Sequence, residues 1–157
     1  MQIVRASEKH IPGMLHLLQQ VGEVHHQGRP DIFRAGAQKY DVPMLQALLQ
    51  DADSPIFIAE DDDRVLGYGF CKLKRHAGDP IFTDTLELYI DDLCVEESCR
   101  GQHIGSAVYQ HICCFAREIG CYNITLNVWS FNESALKFYE KCGMKPQRIF
   151  METILEK

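Results

Sequence analysis

Chemistry is written most plainly into the run Cys99-Arg100-Gly101-Gln102-His103-Ile104-Gly105-Ser106, which leads from one apolar stretch into another. Where a loop with two glycines enters a helix, the first amide N–H groups lack intrahelical acceptors and the helix dipole adds positive potential. A pyrophosphate can then be held by backbone alone, and Arg100 would add a charge-assisted contact. An ordinary strand-to-helix turn has the same composition, so the loop takes its meaning from its neighbours. Its spacing is neither GxGxxG nor GxxxxGKS, which argues against dinucleotide-binding and P-loop chemistry.

Just upstream, residues 84 to 97 hold six acids, Asp84, Glu87, Asp91, Asp92, Glu96 and Glu97, and no Lys or Arg. Such a cluster either draws in a cation or is a solvated acidic face. Within it the apolar alternation changes phase: Leu86, Leu88 and Ile90 take even positions, then Leu93 and Val95 take odd ones. A strand buries one face with period two, so the slip predicts one extra residue, a β-bulge, near Asp91-Asp92. Bulges turn backbone groups out of the ladder, often beside a site. A strand buried on both faces is the alternative, because parity then carries little information.

These residues must be positioned by regular elements. Gln2 to Arg5 reads as a strand, followed by a helix that starts near His10 with Pro12 in its first turn and Met14, Leu15, Leu18 and Val21 at helical spacing. Residues 23–39 have no clean period and read as an irregular connection bordering a site. A helix with Pro43 near its start follows, then strands over Pro55–Glu60 and Arg64–Leu73 joined at Asp61-Asp62-Asp63. After the acidic strand, Val108 to Ile119 mark a helix ending at Gly120. Asn123–Trp129 then reads as a strand, Asn132 as the cap of a helix running to Cys142, and Gly143 as its left-handed stop. Arg148 to Leu155 is predicted to be the last strand. The order is that of one α/β domain.

At 157 residues, with 46% hydrophobic and 24% charged residues, the chain is long enough to bury a core without disulfides or a structural metal. A net charge of −6 disfavours nucleic acid and anionic membrane as partners and leaves cationic small molecules admissible. Seven cysteines with no CxxC pair fit a reducing compartment. Cys113-Cys114 near His111 has no matching pair elsewhere, so no metal site is expected and these read as small hydrophobes. No signal peptide or membrane span is apparent, and a cytoplasmic protein is the expectation.

The phase-slipped strand ending Leu93-Cys94-Val95, the loop R-G-Q-H-I-G-S and the run N-E-S-A-L-K-F-Y-E-K-C-G-M from Asn132 to Met144 together resemble the GNAT superfamily of acetyl-CoA-dependent N-acetyltransferases. The likeness is strong over residues 85–145. It implies a single domain over 1–157, with a mixed, mostly antiparallel sheet whose fourth and fifth strands splay, flanked by about four helices. The family's Q/R-x-x-G-x-G/A motif falls on Arg100, Gly101, Gln102, His103, Ile104 and Gly105, with His103 standing where the first glycine is expected; histidine tolerates positive φ better than branched residues do. The resemblance implies acetyl-CoA as co-substrate, its pyrophosphate on Arg100–Ser106 and its pantetheine paired along Leu93, Cys94 and Val95. A backbone N–H near Leu93 would serve as oxyanion donor, and Asn132, Ser134 and Ala135 as a second cofactor contact. It also implies Tyr139 as the acid that protonates the departing thiolate, and Asp91, then Asp92, as the base, by analogy with the polyamine-acetylating branch. Tyr89 lies two residues before Asp91, and the acceptor lid of the family falls on the segment carrying Asp31, Phe33 and Tyr40. The implied reaction is acetyl transfer to a primary amine, of a small molecule or a protein, by direct attack in a ternary complex. A non-catalytic acyl-CoA sensor of the same fold is the alternative. A homodimer pairing through the C-terminal strand is a further expectation.

Overall fold

Five strands lie side by side in sequence order across one sheet: β1 (Gln2–Arg5), β2 (Ile56–Asp61), β3 (Arg64–Arg75), β4 (Leu86–Val95) and β5 (Asn123–Leu126). Neighbours from β1 to β4 are antiparallel, while β4 and β5 are parallel. The computed structural model describes residues 1–155. It forms two compact units, residues 1–127, which hold the whole sheet, and the segment from Val128 onward.

The predicted hairpin is present: β2 and β3 are joined at Asp62 and Asp63, both at positive φ (45° and 64°), the two-residue turn whose twist matches that of paired strands. Strand β2 is buried on both faces, and its alternation shows why. Ile56 and Ile58 join a core with Met14, Leu17 and Leu18 of helix α1 (Ile11–Gly28) and Leu45 of helix α2 (Val42–Gln50). Phe57, pointing the other way, meets Phe115 and His111 of helix α3 (Ile104–Glu118) edge-on. One side of the sheet is thus covered by α1 and α2, the other by α3. Gly69 of β3 allows the close approach of α3, since a Cβ there would stand 2.6 Å from Ile112 Cδ1.

Three expectations are corrected. Helix α1 does not give way to irregular chain at residue 23 but runs to Gly28. Helical hydrogen bonds are local and persist without an apolar stripe, and the stop comes at Arg29, whose backbone leaves the helical region (φ −144°, ψ 71°) just before Pro30. Strand β5 ends at Leu126 rather than Trp129, because its partner residues on β4 end at Ile90, where the bulge turns β4 away. Residues 148–155 form no strand; a strand-like pattern needs a neighbouring strand, and none of the described residues supplies one to that segment.

In the second unit, Asn132 caps helix α4 (Glu133–Lys141), and Gly143 stops it at φ 88°. No described helix is long and apolar enough to cross a membrane.

Candidate active site

The predicted bulge is at Asp91. Phe70 on β3 faces Asp92 while Cys71 faces Ile90, so Asp91 is the residue without a counterpart. Without the insertion, neighbouring carboxylates on a strand would point to opposite faces. Here each finds a tyrosine: Tyr40 donates to Asp91 Oδ2 at 2.5 Å, and Tyr68 donates to Asp92 Oδ2 at 2.8 Å. Phe70 bridges the two phenols, stacked on Tyr40 (5.5 Å) and edge-on to Tyr68 (4.7 Å). Lys39 completes the group, its Nζ 2.7 Å from Asp91 Oδ2 and 3.2 Å from the Asp91 carbonyl oxygen. Beside Asp91 and Tyr40 opens a cavity of ≈ 80 Å³ floored by Ile56, Phe70 and Cys71.

Burial pushes the Asp92 pKa up to about 6, against the Tyr68 hydroxyl and the Lys39 ammonium, which pull it down. The phenols of Tyr40 and Tyr68 are both held well above the ordinary tyrosine range, chiefly by burial and further by the adjacent carboxylates. They are therefore donors near neutral pH. Asp92 is a carboxylate poised to gain or lose a proton just below it. Of the other acids of the run, Asp84 accepts from Gly78 N, Glu87 accepts from Thr125 and pairs with Lys74, Glu96 is bound by Gln20 and His16, and Glu97 is exposed. The six-acid cluster resolves into one convergent pair.

Past Ile90, β4 keeps its β3 neighbour, with Leu93, Cys94 and Val95 opposite Gly69, Tyr68 and Gly67, but has no β5 partner on the other side. Every second peptide of this stretch turns its N–H and C=O toward that open flank. The chain then passes through a short 3₁₀ turn (Glu97–Cys99) into Arg100, Gly101 (φ 79°), Gln102 and His103 (φ 61°). His103 adopts the left-handed conformation that a glycine would take, so the departure from the motif leaves the turn intact. Helix α3 begins at Ile104 without any side-chain cap, leaving the amides of Ile104, Gly105 and Ser106 at the positive end of a 15-residue dipole. Gly101, Gln102 and His103 are exposed, and Arg100, also exposed, donates from Nε to the Val95 carbonyl at 3.3 Å. Uncapped donors and an unpaired strand flank fit the diphosphate and amide groups of a coenzyme A thioester.

The remaining expected residues divide. Tyr40 reaches the acid pair, whereas Asp31 is ion-paired with Arg29 (2.8 Å) and Phe33 stacks on His25 (4.9 Å) at the end of α1. Tyr89 accepts from Asn127 Nδ2 (3.1 Å), and Lys74 Nζ sits 3.6 Å from its ring centroid. Cys94 is buried, and burial pushes its thiol up to about 12, so it is no nucleophile at neutral pH. In the second unit, Asn132 Oδ1 accepts from Ala135 N (3.2 Å) and Ser134 Oγ (3.0 Å), and Tyr139 lies half-buried on α4 with Phe138 against its ring. Lys39 and Tyr68 were not foreseen. Tyr68 carries a faint signal, an aromatic set between Gly67 and Gly69 on a strand; Lys39 carries none.

The chain's likenesses agree with this geometry. The family model for the acetyltransferase (GNAT) family matches residues 22–144. A probable N-acetyltransferase, camello, of Xenopus laevis is 27% identical over 78% of this chain and 53% of its own length. The N-alpha-acetyltransferase 30 of Schizosaccharomyces pombe is 34% identical over 55% of each. The chain thus spans about half the length of these curated relatives. Among solved structures, a mutant of the BH1408 protein from Bacillus halodurans superposes with a TM-score of 0.94 at 30% identity, covering 99% of this chain and 100% of that one.

Proposed function

Because the chain belongs to the acetyltransferase (GNAT) family, we propose that residues 1–157 act as a single N-acetyltransferase domain. It transfers the acetyl group of acetyl-CoA to a primary amine by direct attack in a ternary complex. The observation that carries this reading is the conjunction, on one strand, of an unpaired flank leading to an uncapped helix and a bulged acid pair.

Acetyl-CoA supplies the acyl group as an activated thioester. The amides of Ile104, Gly105 and Ser106, with Gly101, Gln102, His103 and Arg100, hold its diphosphate. The open flank of Leu93, Cys94 and Val95 pairs with its amide groups, and an N–H near Leu93 faces the thioester carbonyl. Asn132, Ser134 and Ala135 form the second contact. An alkyl amine of pKa about 10.4 arrives protonated at neutral pH and must shed a proton before it can attack. Asp91, which already holds the Lys39 ammonium, draws the acceptor's charge into the cavity beside Tyr40. Asp92, held near pKa 6 and ionised at pH 7, takes the proton. The neutral amine forms the C–N bond at the thioester carbonyl, the C–S bond then breaks, and Tyr139 gives its proton to the departing thiolate and regains one through water from the nitrogen as the amide forms; Tyr89 borders the acceptor, and Asp31 and Phe33 lie on its lid.

The test is thiol release from acetyl-CoA across a panel of cationic primary amines, with a no-acceptor blank. Amine-dependent release that collapses in Asp92→Asn is expected. Tight acetyl-CoA binding with no turnover on any amine would instead identify a non-catalytic acyl-CoA sensor.

A further inference from the structure

The cavity beside Asp91 has a second charged border. Its ≈ 80 Å³ are lined by Asp91 and Tyr40 and also by Lys72 and Ser54. Lys72 is exposed and faces Tyr89 across the β3–β4 ladder, and Tyr89 stands two positions before Asp91 on β4. The residue that carries this ammonium therefore lies roughly 7 Å along the sheet from the acid that the bulge presents.

Lys72 differs from the cations around it. Lys39 is held by Asp91 (2.7 Å), Lys74 by Glu87 (3.5 Å) and Arg75 by Asp53 (3.6 Å), whereas Lys72 makes no ion pair among the described residues. Asp51 senses Lys72 electrostatically, yet its carboxylate is taken up by Ser54 Oγ (2.6 Å) and the Asp53 N–H (3.0 Å), and these bonds lower its pKa more than Lys72 does. Lys72 is thus left at the cavity border with its charge unbalanced. At the opposite border Lys39 already compensates Asp91, so a polycation entering the cavity would meet two lysines. A chain with one ammonium and one anionic group would find a partner at each end. The cavity volume, on the order of six water-sized spheres, has room for a short unbranched chain between them.

We propose that the acceptor is a short aliphatic amine whose far end carries a carboxylate, with Lys72 as its anchor. The inference rests on the acetyltransferase reading above and narrows it. The amine enters beside Tyr40 and Asp91, its methylenes lie over Ile56 and Phe70, and its carboxylate meets the Lys72 ammonium. Lys72 touches the substrate away from the reacting atoms, so it selects the acceptor and takes no part in proton transfer or in forming the C–N bond.

The test is the initial rate of thiol release from acetyl-CoA, catalysed by the full chain, with straight-chain primary amines of matched length that end in a methyl group, a carboxylate or a second ammonium. Expected is a kcat/KM for the ω-amino carboxylate at least about tenfold above both others, carried by a lower KM. Lys72→Glu should reverse the order, placing the diamine above the amino carboxylate, and Lys72→Met should abolish the carboxylate's advantage over the methyl-ended amine. The inference is overturned if the diamine or the methyl-ended amine matches the amino carboxylate in the wild type, or if the advantage survives in a folded Lys72→Glu. Should Lys72→Glu fail to fold, Lys72→Met decides. Turnover of some other primary amine with none of these three overturns it likewise. Release with no amine at all contradicts the acetyltransferase reading itself, whereas release without a carboxylate preference removes only the present inference.

Discussion

The base role proposed for Asp92 near neutrality rests on burial, which raises its pKa, while the Tyr68 hydroxyl and the Lys39 ammonium restrain the rise. The sign of the pH dependence follows: the ionised form is required, so kcat/KM should climb as pH rises through about 6 and level off above it. Tyr68→Phe removes a donor to the carboxylate, and its rising limb should move to higher pH. In Asp92→Asn that limb should vanish and turnover should fall roughly a hundredfold or more. Tyr139→Phe should lower kcat while leaving acetyl-CoA affinity, measured by calorimetry, nearly unchanged. The acid pair was legible in the sequence because a parity slip is a local pattern that only an extra residue explains. The tyrosines and lysine that tune it were not. Lys39 and Tyr40 reach Asp91 from 52 and 51 positions away, and no local pattern records which residues a fold folds back upon.

The elements that position the site were set by local rules where the hydrogen bonds are local. Proline at a helix start, Asp62-Asp63 at a tight turn and Asn132 as cap all appear where their chemistry requires them. The expectations that failed were long-range ones: β5 is shortened by the departure of β4, and the C-terminal strand lacks a partner among the described residues. Two substitutions test the packing of elements. Gly13→Ala adds helix propensity of about 1 kcal/mol to α1, yet its Cβ would lie 2.6 Å from Val65 Cβ on β3. Overpacking against a branched strand residue costs about 1–3 kcal/mol, so a net loss of stability is expected in urea unfolding. His103→Gly relieves the left-handed conformation and should gain up to about 1 kcal/mol with acetyl-CoA binding retained, whereas His103→Val should lose both. At the other end of β2, His10, Lys9 and Gln2 hold the Glu60 carboxyl down at about 2. Because the folded state lowers this pKa below the ordinary 4.5, the stabilisation is complete above pH 4.5 and disappears as pH falls toward 2. Thermal melts of wild type and Glu60→Gln should therefore converge as pH drops through that window.

For the molecule as a whole, whose net charge is −6, a convergent acid pair lies at one strand kink and a helix N-terminus beside Arg100 lies beyond the end of the same strand. On the proposed reading, a cationic acceptor and an anionic nucleotide would be drawn to adjoining places by opposite fields. Amide NMR of the full chain titrated with coenzyme A tests this arrangement most directly. Shifts concentrated at Gly101, Gly105, Ser106 and the Leu93–Val95 stretch, saturating together and abolished when Gly105 is replaced by Pro in a variant that keeps its fold, are the expected result. Saturable binding that leaves those amides unmoved, or no binding at millimolar ligand, would contradict it.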